Sequence, residues 1–115
     1  MFMQAYQDAM EDEQDSMRRS EGEIMERAIH MMRQSDQNPS DRMFRTRAIY
    51  FISQIWSYFL NDLSSAENAT PSALKANLIS IGIFIMKHLE IMRQEPGVKF
   101  DPLIEISQSI REGLK

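Results

Sequence analysis

Apolar residues recur along most of this chain at steps of three, four and seven, the period of helices that turn one face to a core. From Ser16 to about Gln34 the repeat is carried by Met17, Ile24, Met25, Ala28, Ile29 and Met32, with arginines and glutamates opposite. Gly22 weakens the middle of this helix by roughly 1 kcal/mol relative to alanine. Asp36 to Ser40, with Pro39 inside, reads as a turn. A long helix is predicted from about Asp41 to Leu63, with Ser40 as its N-cap. Its stripe of Phe44, Ala48, Phe51, Ile52, Ile55, Trp56, Phe59 and Leu63 is widened by Ile49, Tyr50, Tyr58 and Leu60. That is more apolar surface than one neighbour covers.

Ser64 to Thr70 forms the next loop, and Thr70-Pro71 signals a new helix: a capping hydroxyl, then proline at the first helical position. This helix runs to about Arg93. Its centre, Leu78 to Met86, is apolar nearly all round, which predicts burial on most sides and a place in the middle of the fold. A strand is the competing reading of the isoleucine-rich stretch; the cap before it and the helical spacing through Lys87 to Arg93 favour helix. Gly82 is expected to let another helix approach. Glu95-Pro96-Gly97 ends the helix, and Asp101-Pro102 repeats the cap-plus-proline signal. Leu103, Ile106, Ser107, Ile110 and Leu114 then share one face of a last helix.

The pattern changes before Ser16. Asp8, Glu11, Asp12, Glu13 and Asp15 have no basic residue among them, while Phe2, Tyr6 and Met10 keep helical spacing. Residues 1–15 read as an acidic N-terminal arm or extra helix, and residues 16–115 as the domain. Short loops between helices of this length predict antiparallel neighbours. The expected fold is therefore all-α: a single-domain helical bundle of four main helices, with an extra N-terminal helix or arm.

Composition adds mostly exclusions. A chain of 115 residues suffices for one domain with its own core. The absence of cysteine removes disulfides, thiol catalysis and thiolate zinc sites. No stretch approaches the ~18 apolar residues of a membrane span, and the start lacks a secretory pattern. A cytoplasmic location is expected. With a net charge of −4, the global field opposes polyanions. Ten methionines suit either helix interiors or an adaptable binding surface.

Candidate chemistry is sparse. His30 and His88 fall on different helices, with no second ligand at metal-binding spacing. No glycine-rich loop precedes a helix, and no serine sits in a nucleophile elbow. No enzyme activity, cofactor or metal is expected. Asn68-Ala69-Thr70 matches a glycosylation sequon by chance. Arg42, Arg45 and Arg47 cluster at a helix start, where cations oppose the macrodipole. They read as a solvated face or as contacts to a partner, RNA phosphates included. The apolar excess around Trp56, Tyr58, Phe59 and Leu60 reads equally as core or as a groove for an amphipathic helix.

Several ordered pieces of the chain resemble one family. They are Ile55-Trp56-Ser57-Tyr58-Phe59-Leu60-Asn61-Asp62-Leu63, then Glu67-Asn68, then Leu78-Ile79-Ser80-Ile81-Gly82-Ile83, then Ile104-Glu105-Ile106-Ser107 and Ile110-Arg111-Glu112-Gly113-Leu114. From about Ile24 onward the chain resembles the FlaF family of flagellar biosynthesis proteins of alphaproteobacteria. Ile55, Phe84, Lys99 and Glu112 depart conservatively from the family's habits.

The resemblance implies a part in flagellin synthesis and export. Two roles are open. One is a flagellin-binding secretion chaperone that acts through an apolar helical surface. The other is a post-transcriptional regulator of flagellin mRNA, acting directly or through the companion protein FlbT. Composition and charge favour protein binding. Trp56, Phe59, Asp62 and Arg111 stand at matching family positions and are the candidate partner-binding residues. Trp56 and Phe59 would anchor apolar contact, Asp62 would cap or pair near a helix end, and Arg111 would grip a carboxylate. Fold maintenance is an equal reading of all four. A helical adaptor or dimerisation module is the reading that owes nothing to the resemblance.

Overall fold

The computed structural model describes residues 21–113, which form four helices and the loops between them, without a strand. The first helix, α1, occupies 21–37 of this range. It is followed by α2 (Arg42–Leu63), α3 (Ser72–Gln94) and α4 (Asp101–Gly113). The fold is the expected all-α bundle. The acidic arm expected at 1–15 lies outside the described residues. The isoleucine-rich centre of α3 is helical throughout.

Three caps differ from expectation by one residue. Ser40 belongs to the turn, and Asp41 caps α2, its Oδ1 accepting the Phe44 N–H at 3.0 Å. Either residue type caps well; the Asn38 carbonyl decides between them by holding the Asp41 N–H at 3.0 Å, which sets the helix start one residue later. At α3 the N-cap position belongs to Pro71, with no side-chain cap. The Thr70 N–H donates to Asn68 Oδ1 at 3.0 Å in an Asx turn, so Thr70 belongs to the loop before the helix. At α4, Asp101 is already in the first turn, and the Phe100 carbonyl accepts from Leu103 and Ile104 at 2.8 and 3.0 Å. The Phe100 N–H donates across the bundle to Asp36 Oδ1 and Oδ2, 3.0 Å each.

The core joins all four helices. Met25, Ala28, Ile29 and Met32 come from α1, and Ala48, Ile49, Ile52 and Trp56 from α2. Ile85, Leu89 and Met92 come from α3, while Phe100 and Leu103 seal the α4 end. Among the described residues, Met32 and Met92 are interior, Met25 is a core residue that also lines the cleft described below, and Met43 is well exposed. α3 does not sit in the middle of the fold. It buries one stripe, Gly82, Ile85, Leu89 and Met92, and leaves Ile83, Phe84 and Ile91 exposed at 46%, 48% and 47%. A helix in a four-helix bundle has neighbours on only part of its circumference, so an apolar centre leaves one face uncovered.

Gly82 makes the close approach of α2 and α3 feasible. A Cβ there would lie 2.6 Å from Leu60 Cδ2 and 3.0 Å from Trp56 Cε3. The antiparallel order gathers the end of α1, the start of α2, the end of α3 and the start of α4 at one pole. Besides the Asp36–Phe100 bond, Arg45 Nη2 donates there to the Glu95 and Val98 carbonyls at 3.1 and 2.8 Å. The apparent misplacement of a cation at the α2 start is thereby explained: Arg45 serves carbonyls just past the C-terminus of α3, where positive charge is favoured.

Candidate partner-binding cleft

The opposite pole opens into a cleft of about 350 Å³. Met25 of α1, Phe59 and Leu63 of α2, Leu74 and Leu78 of α3 and Ile110 of α4 line it, as does the buried Trp56. Glu21, Asp62, Asn68 and Thr70 supply its polar rim. α2 and α4 end at this pole, α3 begins there, and α1 passes it near Met25. The apolar positions continue the core stripe into a region where the helices no longer close on each other.

Trp56 and Phe59 sit three residues apart on α2, ring centroids 5.5 Å apart and planes at 86°, the favoured edge-to-face geometry. Trp56 is 2% exposed and packs on Gly82 and the core, while Phe59 is half-buried and presents a wall of the cleft. Tyr58 stacks at a tilt on Phe59 but is 62% exposed, on the outside of α2.

Asp62 is exposed, and its Oδ2 accepts from Asn68 Nδ2 at 3.0 Å. The Asn68 carbonyl receives Lys75 Nζ at 3.2 Å. Asp62 thus ties the rim loop to α2, and the Asn68 amide of the sequon is engaged on both its oxygen and its nitrogen.

Three of the four candidate residues, Trp56, Phe59 and Asp62, converge on the cleft. Arg111 does not line it. Its Nη2 lies 3.1 Å from Glu26 Oε2, an ion pair joining α4 to α1. It borders a separate polar cleft of about 440 Å³ lined by Glu26, Ile29, His30, Arg33, Gln108 and Glu112. His88 stacks on Phe84 and places Nε2 2.8 Å from the Lys99 carbonyl. No group of three metal-ligating side chains occurs among the described residues.

Met25, Leu74, Leu78 and Ile110 were not singled out as site residues in the sequence. Their signal is positional: each is an apolar residue in a helix-terminal region of the same pole, which antiparallel order alone would bring together.

A model of the family described as flagellar protein FlaF matches residues 2–114. The chain belongs to the FlaF family. Membership connects it to flagellar biogenesis and agrees with the resemblance carried by the Ile55–Leu63 and Leu78–Ile83 pieces. No curated protein and no solved structure matches the chain. No described helix is long and apolar enough to cross a membrane. Within the FlaF match, the Trp56–Asp62 segment forms one side of the cleft and Ile110, beside Arg111, another.

Proposed function

We propose that this FlaF protein acts in the cytoplasm as a flagellin-binding chaperone and regulator, by receiving an amphipathic flagellin helix in the apolar cleft. The observation that supports the reading is the lining itself: Phe59, Leu74, Leu78 and Ile110 meet around an opening that the buried Trp56 also lines. An apolar helix face fits such a groove through side chains at i, i+3, i+4 and i+7. Concave, mostly apolar sites with a few polar groups are the usual form of a binding site. FlbT is the companion through which an effect on flagellin mRNA would run. The occupied guanidinium of Arg45 weighs against a phosphate-binding role for the arginines at the start of α2.

The test is calorimetric titration with flagellin from the same organism, using the wild type and Phe59→Ala. Binding that weakens in the variant while its circular dichroism stays unchanged supports the cleft. Equal affinities would move the binding surface elsewhere. Tight, strongly salt-dependent RNA binding without flagellin binding would replace the proposal by the regulator reading.

A further inference from the structure

The outer face of α2 has no part in the cleft. Met43, Tyr50 and Tyr58 are the three most exposed large hydrophobic side chains among the described residues, at 67%, 62% and 62%. With Arg47 and Gln54 between them they follow one another at steps of three and four, a straight stripe ~22 Å long. The stripe lies opposite the core positions Ala48, Ile52 and Trp56. The cleft, which Trp56 and Phe59 line, therefore opens on the other side of the helix.

The residues of this face are not those of a merely solvated one. From Arg42 to Asn61 the chain has no lysine, aspartate or glutamate, whereas the exposed faces of α1 and α4 carry Glu23, Glu26, Asp101 and Glu105. Tyrosine, methionine and arginine are enriched where proteins meet, and lysine, aspartate and glutamate are depleted there. Arg47 also has donors to spare. Its Nη2 donates to the Met43 thioether at 3.6 Å, a weak acceptor, and it pairs with no carboxylate among the described residues. Tyr50 borders a cleft of about 300 Å³ with Ile49 and Arg93, room for a side chain of a docked segment. Charge complementarity selects the occupant. A guanidinium pairs best with a carboxylate, in a planar contact of two hydrogen bonds. A second copy placed stripe to stripe supplies no carboxylate. A polyphosphate is held by many cations at once, and the stripe itself holds a single arginine.

We propose that the outer face of α2 docks a second protein, distinct from the guest of the cleft, through a segment whose carboxylate meets Arg47 between apolar contacts to Met43 and Tyr50. The protein then joins two partners, one on each side of α2. The surface is independent of the cleft, and losing the guest leaves it intact.

The test places a photoreactive phenylalanine analogue at Gln54 or, as a control, at the exposed Ser109 of α4, in the full chain within its own organism. Mass spectrometry identifies the products. The expected result is a protein cross-linked from Gln54 and not from Ser109. Its purified form binds the wild type, and Arg47→Glu weakens that affinity roughly tenfold or more, as loss of an anchoring arginine does. Tyr50→Ala weakens it as well, whereas Phe59→Ala, which tests the cleft, leaves it unchanged. Exchanging the partner's contacting carboxylate for an arginine restores binding to Arg47→Glu. A glutamate near the start of α2 suits the macrodipole, so Arg47→Glu keeps its fold, which circular dichroism checks. The proposal is overturned if Gln54 yields no product, or if the product is a second copy, flagellin or RNA. A partner whose affinity is the same for Arg47→Glu, or one that no charge exchange rescues, overturns it too.

Discussion

Asp36, the second-last residue of α1, caps α4 from across the bundle: both of its carboxylate oxygens lie 3.0 Å from the Phe100 nitrogen. A cap from a residue 64 positions away links a local requirement of α4 to the tertiary fold. Asp36→Ala should cost about 1–2 kcal/mol, the usual worth of an N-cap oxygen. Asp36→Asn, which keeps one acceptor, should cost less. Urea midpoints of the two variants check the order.

The same carboxyl makes a prediction about pH. Burial raises its pKa above the ordinary 3.8, the Phe100 N–H opposes that rise, and the neighbouring Asp101 carboxylate adds to it. A folded-state pKa above the unfolded value means the native state binds the proton more readily. The contribution to stability is thus fully present below 3.8 and is lost as pH rises through the folded value. Relative to Asp36→Asn, the wild type should lose ground as pH increases across that window. A gap that moved the other way would show that the hydrogen bond outweighs desolvation.

Gly82→Ala sets two effects against each other. Helix propensity favours alanine by about 1 kcal/mol, while overpacking a tight contact costs about 1–3 kcal/mol. Leu60 is half-buried and its Cδ2 can swing aside, but the Trp56 ring is held by the core at 3.0 Å. Net destabilisation is expected. A thermal midpoint at or above that of the wild type would mean α2 and α3 separate more easily than their packing indicates.

Arg45→Ala removes both donors to the Glu95 and Val98 carbonyls. Hydrogen bonds from charged groups are worth about 1.5–3 kcal/mol, with less expected at this partly exposed site. Arg45→Lys should recover only part of the loss, since an ammonium lacks the planar fork. Faster amide exchange in the 95–100 loop is the direct readout.

Trp56 and Phe59 should separate stability from binding. Trp56→Ala empties a fully packed site and should cost about 3–5 kcal/mol. Phe59→Ala should cost less, because its side chain already faces the opening, and should account for most of the affinity that the cleft supplies. The comparison is between denaturation midpoints and calorimetric affinities of the two variants.

Much of this architecture is legible in the chain. The apolar period places α2 and α3 within a residue or two, and Gly82 reads as a packing glycine because it interrupts an otherwise bulky helix. The caps are less legible, because Ser40 and Asp41 compete as neighbours and only the turn geometry chooses. Periodicity reports how apolar α3 is, but not how many neighbours it meets, so the exposure of Ile83, Phe84 and Ile91 is invisible to it. The role of Arg45 is hidden for a related reason: its acceptors are backbone carbonyls, which leave no trace in residue identity. Arg111 reads as a match to a family position, yet its pairing with Glu26 depends on how α4 lies against α1.

The two poles of the bundle give it the mechanics of tongs riveted at one end. Asp36 and Arg45 fasten the chain crossings at the rivet, and the jaws are the ends of α2 and α4, the start of α3 and the stretch of α1 around Met25. On the chaperone reading proposed above, a guest helix would load the apolar contacts near the opening and the side-chain ties at that pole, Arg111 to Glu26 and Asp62 to Asn68, before it loaded the rivet.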